Sequence, residues 1–353
     1  MARVMIYGAS GYTGRLASEQ AKTLNLPLIL AGRSEAAVAH VATSLDVPYR
    51  VFDLDEPKIV ASALRDEDLK VLLNCAGPFA LTAQPLIATC IETGVHYLDI
   101  SAELGSYQLA FDLSDAAKKA NVMLLPGCGG SVAMLGCLAA HALRNIRSPT
   151  QIDIALRVAG PMSRGSIASA AGSVMAGDRC LQRRDGKLVP WSEQEGEDEA
   201  GAGDNVCQQF DFGDGEGLVA CFPLTLPDLI TIGKSTGVAN IRTFACVGGS
   251  GTMSFPEDDE TIPDGPTAEE RETSPYHAAV TITDAHGGMG RAVLHTVNGY
   301  TFTAMASVEA VRRVLDGEVK VGFQTPATFF GKDFVETIAG SRLVDICTRG
   351  KLD

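Results

Sequence analysis

Gly8, Gly11 and Gly14 recur at three-residue intervals in Gly8-Ala9-Ser10-Gly11-Tyr12-Thr13-Gly14, directly after the apolar run Val4 to Tyr7. Glycines so spaced let the chain turn sharply, let backbone amides approach a pyrophosphate and let the next helix pack closely on a sheet. A helix starting there turns its positive N-terminus toward the same phosphates. The stretch, with Ser10, Tyr12 and Thr13 among its residues, is expected to cradle a nucleotide pyrophosphate. Its spacing is G-x-x-G-x-x-G, not the usual G-x-G-x-x-G, so its context must carry the assignment.

That context continues at Gly32-Arg33-Ser34, after the next apolar run, Leu28 to Ala31. NAD-binding chains place an acidic residue near this point for the ribose 2′-hydroxyl. An arginine suits a 2′-phosphate instead, since its guanidinium can pair with the phosphate and lie against the adenine while Ser34 adds a hydroxyl. NADP is therefore expected in preference to NAD. Asp53 comes after the third run and either accepts from the adenine amino group or caps the next helix. In Asn74-Cys75-Ala76-Gly77-Pro78-Phe79 the small Ala76–Gly77 pair would let ribose and phosphates lie against the backbone. Asn74 would fix that turn or donate to the cofactor.

The substrate end offers more than one chemistry. Tyr97, Asp99, Ser101 and Glu103 close the fifth run and are candidates for proton transfer or orientation; Asp99 and Ser101 read equally as capping and turn-making residues before a helix over 105–120. Cys128, in Pro126-Gly127-Cys128-Gly129-Gly130-Ser131, precedes a helix N-terminus that would lower its thiol pKa and suit it to attack an aldehyde. It reads equally as a small apolar side chain in a tight turn. His141, His277, His286 and His295 lie in no motif that announces a partner base. Arg157 and Arg164 are candidates to bind a substrate carboxylate, or members of salt bridges.

The elements that would position these residues alternate between strand and helix up to residue 125, which implies a doubly wound parallel sheet with its ligand beyond the carboxyl ends of the strands. Val122 to Leu143 is 22 residues without a formal charge, long enough to span a bilayer. Pro126, Gly127, Gly129 and Gly130 divide it into a strand, a turn and a helix starting near Ser131. From Gln151 the runs 151–158, 217–222, 242–247, 278–283 and 291–297 read as a mixed, largely antiparallel sheet. Gly248 to Gly251 reads as a loop and His286 to Gly290 as a hairpin turn. Helices are expected from Met162 past Arg179, over 303–315 and over 329–338. The acidic stretches 193–204 and 257–272 lack hydrophobic periodicity and read as exposed loops. The predicted fold class is α/β: a Rossmann domain over 1–130, an α+β domain for substrate and dimerisation over 131–315, and a C-terminal segment over 316–353.

With 353 residues, 46% of them hydrophobic, the chain can build more than one core. A net charge of −14 opposes nucleic acid and anionic membranes as partners. Nine cysteines without C-x-x-C pairs or metal-ligand spacing read as reduced thiols, and no metal site is expected. The first residues enter a strand-like run without a basic region, an apolar segment and a small-residue cleavage site, so no secretory signal is expected. The expectations are a cytoplasmic protein, a small-molecule substrate, no transmembrane segment and a homodimer.

Gly8 to Gly14, Ala31-Gly32-Arg33, Asn74 to Phe79, Cys90 and Gly94-Val95-His96-Tyr97-Leu98-Asp99 together resemble the saccharopine dehydrogenase-like oxidoreductases, a likeness that returns in Gly322-Phe323-Gln324-Thr325-Pro326. The resemblance implies an NAD(P)-binding Rossmann domain, a second domain covering the cofactor, a C-terminal segment returning to the first domain, and cofactor roles for Gly8, Gly11, Gly14, Arg33, Asn74, Gly77 and Pro78. The chain departs from that family at Pro126 to Val132, where relatives carry a Gly-Phe-Asp-Ser-Val-Pro type of segment. With the glycine loop, Pro126-Gly127-Cys128 also resembles the N-acetyl-glutamyl-phosphate reductases, which use a cysteine nucleophile in such a turn. The expected activity is hydride transfer to or from an imine, carbonyl or enoyl substrate. The alternatives are Cys128 chemistry of the acyl-phosphate reductase type and an NADP sensor without turnover.

Overall fold

A computed structural model describes residues 2–66, 68–175, 180–191, 207–247 and 264–346. The acidic stretch 193–204, the loop 248–251, residues 257–263 of the second acidic stretch and the helix segment at 176–179 lie outside the described residues. The chain begins with β1 (Arg3–Tyr7), α1 (Tyr12–Thr23), β2 (Leu28–Gly32), α2 (Glu35–Leu45), β3 (Tyr49–Val51), α3 (Pro57–Leu64) and β4 (Leu69–Asn74). It continues through α4 (Phe79–Thr93), β5 (His96–Asp99), α5 (Leu104–Asp112), α6 (Ser114–Lys119), β6 (Met123–Leu125) and α7 (Gly130–Leu143). Then come β7 (Pro149–Val158), α8 (Arg164–Met175), the hairpin β8 (Leu181–Arg184) and β9 (Lys187–Pro190), β10 (Gln208–Asp211) and β11 (Leu218–Pro223). The remainder is α9 (Asp228–Thr236), β12 (Asn240–Val247), α10 (Ala268–Thr273), β13 (Tyr276–Asp284), β14 (Met289–Thr296), α11 (Gly299–Leu315), β15 (Gly322–Phe323), α12 (Pro326–Phe329), a 3-10 turn at Lys332–Thr337 and β16 (Arg342–Asp345).

The first sheet runs β15-β6-β5-β4-β1-β2-β3 with every neighbouring pair parallel. Connections leave β1 in opposite directions toward β2 and β4, so the crevice for a ligand opens at the carboxyl end of β1, where the glycine loop begins. The second sheet runs β10-β11-β12-β7-β13-β14-β16, with β8 paired to β12 and β9 to β8. Only β12 and β7 pair in parallel on its main path; the other pairs are antiparallel.

Side-chain alternation divides the cores. Val4, Ile6, Leu28, Leu30, Val71 and Leu73 face α1, α7 and α11, and share one apolar core with Ile152, Ile154 and Val280 of the second sheet. Met5, Tyr7, Ile29, Leu72 and Tyr97 face the other way, toward α3, α4 and α5. The outer face of the second sheet buries a separate group including Ala155, Phe210, Phe244 and Cys246. Helix α7 is buried along its length against the first core, and among the described residues no helix is long and apolar enough to cross a membrane.

Three predicted helices have other bounds. The helix expected over 105–120 is two, α5 and α6, meeting at Leu113. Helix α11 starts at Gly299, earlier than the predicted Thr303, because the Asn298 side chain accepts from the Tyr300 amide at 3.0 Å and caps it. The helix expected over 329–338 is the short α12 and the 3-10 turn, separated by Gly331 at φ +88°.

Candidate functional site

The glycine loop is built by close backbone approach. Gly8 lies at φ +82°, and a Cβ there would sit 2.7 Å from the Ala76 amide nitrogen. A Cβ on Gly14 would sit 2.2 Å from the Gly8 carbonyl oxygen. Only glycine at these two positions lets β1, α1 and the turn after β4 converge. The Gly8 and Ala9 amides donate to the Ala31 carbonyl at 2.9 and 3.2 Å, tying the loop to β2. Gly11 is the N-cap of α1, and no side chain caps that helix. Its first amides thus remain available to an anion, with the helix dipole behind them. Ser10 and Thr13, both half-buried, make no side-chain hydrogen bond among the described residues. A pyrophosphate fits this cradle.

At the end of β2, Arg33 and Ser34 are exposed, and Arg33 makes no ion pair among the described residues. Its charge and those of Asp53 and Asp55 reach the buried Tyr7 phenol, which donates to the Phe52 carbonyl at 3.3 Å. Burial first, then Asp53, pushes that phenol up to about 12. Asp53 itself is a turn-maker: its Oδ1 accepts from the Leu54 and Asp55 amides at 2.6 and 3.3 Å.

The turn after β4 is fixed from inside. Asn74 is fully buried; its Nδ2 donates to Thr82 Oγ1 at 3.1 Å and to the Tyr97 hydroxyl at 3.2 Å, while its Oδ1 accepts from the Ala76 amide at 3.0 Å. Asn74 therefore shapes the turn and has no donor left for a cofactor. The Gly77–Pro78 bond is cis, and Pro78 precedes α4, whose amides at Phe79 and Ala80 donate to Glu103 Oε1 and Oε2 at 2.9 and 2.7 Å. Ser169 of α8 donates to the same Oε1 at 2.8 Å.

Glu103 is thus the anionic cap of α4, and the three other proton-transfer candidates are equally committed. Asp99 is fully buried: Oδ2 accepts from the Tyr97 hydroxyl at 2.8 Å, and Oδ1 from the Ser101 and Gly127 amides at 2.9 and 2.7 Å. Burial raises its carboxyl to about 6, opposed by those three donors. Ser101 Oγ accepts from the Glu103 amide at 3.0 Å and bonds Ser106 Oγ at 2.7 Å, making the turn into α5. These bonds give Asp99, Ser101 and Glu103 capping and turn-making roles, with the Tyr97 hydroxyl as one of the Asp99 donors.

The surroundings of Cys128 oppose the nucleophile role and match the other reading, a small apolar side chain in a tight turn. Its thiol is fully buried and donates to the Asp99 carbonyl at 3.2 Å. Burial, then the Asp99 charge, raises its pKa well above the ordinary thiol value, the reverse of what a nucleophile needs. Arg157 points to the outer face of the second sheet, pairing with Asp214 and, at 2.5 Å, with Glu216. Arg164 is exposed at the start of α8, 4.0 Å from Asp264. His277 and His295 face each other across β13 and β14, Nδ1 to Nδ1 at 3.1 Å, and His286 lies in the hairpin turn. Among the described residues no His, Cys, Asp or Glu cluster could hold a metal.

Residues far along the chain complete the edge. Ser169 lies 3.7 Å from where a Gly77 Cβ would be, so α8 sits over the Gly77–Pro78 turn. Tyr300 accepts from the Ser163 amide at 2.6 Å, donates to Ser166 Oγ at 2.9 Å, and meets the Tyr12 ring edge-on at 5.2 Å. The Tyr12 hydroxyl donates to the Pro266 carbonyl at 2.5 Å and accepts from Arg271 at 2.7 Å. Tyr300 and Arg271 were not legible as site residues; the Asn298-Gly299 cap beside Tyr300 was the one available signal.

Residues 4–125 match the family model described as the saccharopine dehydrogenase NADP binding domain. A saccharopine dehydrogenase-like oxidoreductase of Bos taurus is 32% identical over 122 residues, which cover 28% of this chain and 27% of that protein. A trans-acting enoyl reductase of Mycobacterium leprae is 32% identical over 137 residues, 36% of this chain and 32% of that protein. The match thus spans about a third or less of these relatives' length. Apo saccharopine dehydrogenase (L-Glu forming) from Saccharomyces cerevisiae has the same fold, with a TM-score of 0.65 at 11% identity, covering 98% of this chain and 100% of that one.

Proposed function

We propose, from the match of residues 4–125 to the saccharopine dehydrogenase NADP binding domain, that the chain is an NADP(H)-dependent oxidoreductase acting on a small imine, carbonyl or enoyl substrate. The observation that carries this reading is the glycine cradle: two positions where a Cβ would strike backbone, beside an uncapped helix N-terminus. The bound nicotinamide would supply the hydride chemistry. The chain's own part is to hold and orient it. Gly8, Gly11 and Gly14 would admit the pyrophosphate to backbone amides, Ser10 and Thr13 would add hydroxyls, and Arg33 with Ser34 would take the 2′-phosphate. Ala76, Gly77 and Pro78 would form the floor, with α8 above them. Residues 1–130 would be the dinucleotide unit and 131–315 the part that covers it.

Arg33 is well suited to its role because its guanidinium is exposed and carries no ion pair among the described residues, so pairing with a phosphate breaks nothing. Fluorescence titration with NADPH and NADH tests it. NADPH is expected to bind more tightly, and Arg33→Ala to lose roughly tenfold or more of that preference, the equivalent of a charge-assisted hydrogen bond. An unchanged preference in Arg33→Ala removes the 2′-phosphate role.

A further inference from the structure

Among the described residues, Tyr12 is the one member of the glycine loop whose side chain is gripped from far along the chain. Its hydroxyl donates to the Pro266 carbonyl at 2.5 Å and accepts from Arg271 Nη1 at 2.7 Å, and the same Nη1 donates to the Pro266 carbonyl at 3.0 Å. Three polar groups therefore close a triangle across a sequence separation of 254 residues. Gly265 lies flat on the Tyr12 ring: a Cβ there would come within 2.6 Å of ring carbons. Tyr300 closes the ring's edge at 5.2 Å. One residue earlier, Asp264 Oδ2 stands 3.4 Å from Arg15, the residue after Gly14. The segment from Asp264 to Arg271 thus crosses the start of α1 and is fastened there at three successive residues, 264, 265 and 266.

The fastening acts on the part of the cradle that matters. Tyr12 is the first residue of α1, so its backbone carries one of the amides the helix leaves unpaired, and no side chain caps that end. A side chain held at its hydroxyl, its face and its edge restricts the backbone it hangs from, and a preorganised amide set binds an anion with less ordering cost. Arg271 is half-buried and lines a cavity of about 480 Å³ together with Thr296, Asn298 and Thr301. Its guanidinium stands 6.0 Å from the centre of the Tyr12 ring, and two hydrogen bonds tie it to Tyr12 and Pro266.

We propose that Arg271 is a positioning residue for the dinucleotide, acting through Tyr12 to hold the first turn of α1 in its phosphate-binding arrangement, and that Gly265 is required because only glycine seats the segment on the Tyr12 ring. The inference rests on the cofactor reading above and assigns Arg271 a part in that same site. The effect falls on the pyrophosphate end common to both nucleotides, so it lowers affinity for NADPH and NADH alike, unlike the effect of Arg33.

The test uses the full chain, with NADPH and NADH as probes followed by fluorescence, and unliganded thermal melting measured alongside. Tyr12→Phe keeps the ring and removes the hydroxyl; Arg271→Ala removes the donor. Each is expected to weaken both nucleotides about tenfold, the double variant no more than either single one, and Arg271→Lys, which keeps a donor, to recover most of the loss. The NADPH-to-NADH ratio stays at the wild-type value in all of them. Gly265→Ala is expected to weaken binding at least as much. The proposal is overturned if the single variants bind as wild type does, if their effects multiply independently, or if the unliganded melting temperature falls in step with affinity and Lys rescues neither. If wild type binds neither nucleotide, the cofactor reading fails and this proposal with it.

Discussion

Two stretches at the carboxyl edge of the first sheet are dense in polar residues at short spacing, and they end in opposite conditions. From Gly8 to Gly14 the backbone turns so tightly that amides are left without partners, and the hydroxyls of Ser10 and Thr13 stay uncommitted among the described residues. From Tyr97 to Glu103 each carboxylate and hydroxyl is spent. Asp99 takes three donors, Glu103 takes two amides and the Ser169 hydroxyl, and Ser101 holds the entry to α5. The first stretch is poor in ionisable groups and suited to a ligand; the second is rich in them and serves as scaffold. Unused hydrogen-bonding capacity separates a ligand site from scaffold better than residue type does.

The comparison breaks most visibly at Gly14. Gly14→Ala places a Cβ 2.2 Å from the Gly8 carbonyl oxygen, where backbone must move. The expected cost is roughly 1–3 kcal/mol of stability, as for overpacking in a tight site. Dinucleotide affinity should fall by about a hundredfold or more, since the moving backbone is the cradle itself. Thermal melting and NADPH titration read the two effects separately. An alanine variant that binds NADPH as wild type does would sink the view that this convergence makes the site.

How much the sequence disclosed depends on the range of the interactions. The cradle is local: Gly8, Gly11 and Gly14 act on one another and on Ala31 and Ala76, so their spacing reports their purpose. The alternation of Ile152, Ile154, Leu156 and Val158 was also legible, and it places Arg157 on the face opposite the shared core, where Asp214 and Glu216 meet it. A turn-making role was legible at Asp99, but the distant partners of Asp99 and Glu103 were not, because Gly127, Phe79, Ala80 and Ser169 are brought in by chain crossings that no local pattern records. Cys128 shows the same limit. A helix N-terminus beside it suggested a reactive thiol, but burial and then the Asp99 charge raise its pKa. Tyr12 lay within the glycine motif, but its partners are 254 and 259 residues away.

The scaffold side of the comparison sharpens through pH. Asp99 titrates near 6 in the folded chain against an ordinary 3.8, so the folded state holds its proton more tightly than the unfolded one. This contribution to stability is therefore fully present below pH 3.8 and is lost as pH rises through 6. Two units correspond to about 3 kcal/mol, an order-of-magnitude figure for a buried group. Chemical denaturation from about pH 3.5 to 7 should show a falling component in wild type that Asp99→Asn lacks. The difference between the two curves isolates Asp99 from Asp228, another buried carboxyl raised by burial, to about 8. Identical slopes in the two proteins would mean that Asp99 is not the buried acid of the structure.

The smallest effect comes from Glu103, and it bears on the contrast from the opposite direction. Its carboxylate caps α4 through the Phe79 and Ala80 amides and ties Ser169 of α8 to the same oxygen. Glu103→Gln keeps an acceptor for one amide but turns an NH2 group toward the other, so about 1 kcal/mol of stability should be lost, the usual range for a helix cap. A residue that moved the proton in turnover would behave differently: general acid–base groups contribute about 10²–10⁴-fold. With an NADPH-consuming substrate found by panel screening, Glu103→Gln should lose no more than a few-fold in kcat, with a pH–rate profile of wild-type shape. A hundredfold loss with one limb of that profile missing would return Glu103 to the chemistry and make the β5 end a working part of the site.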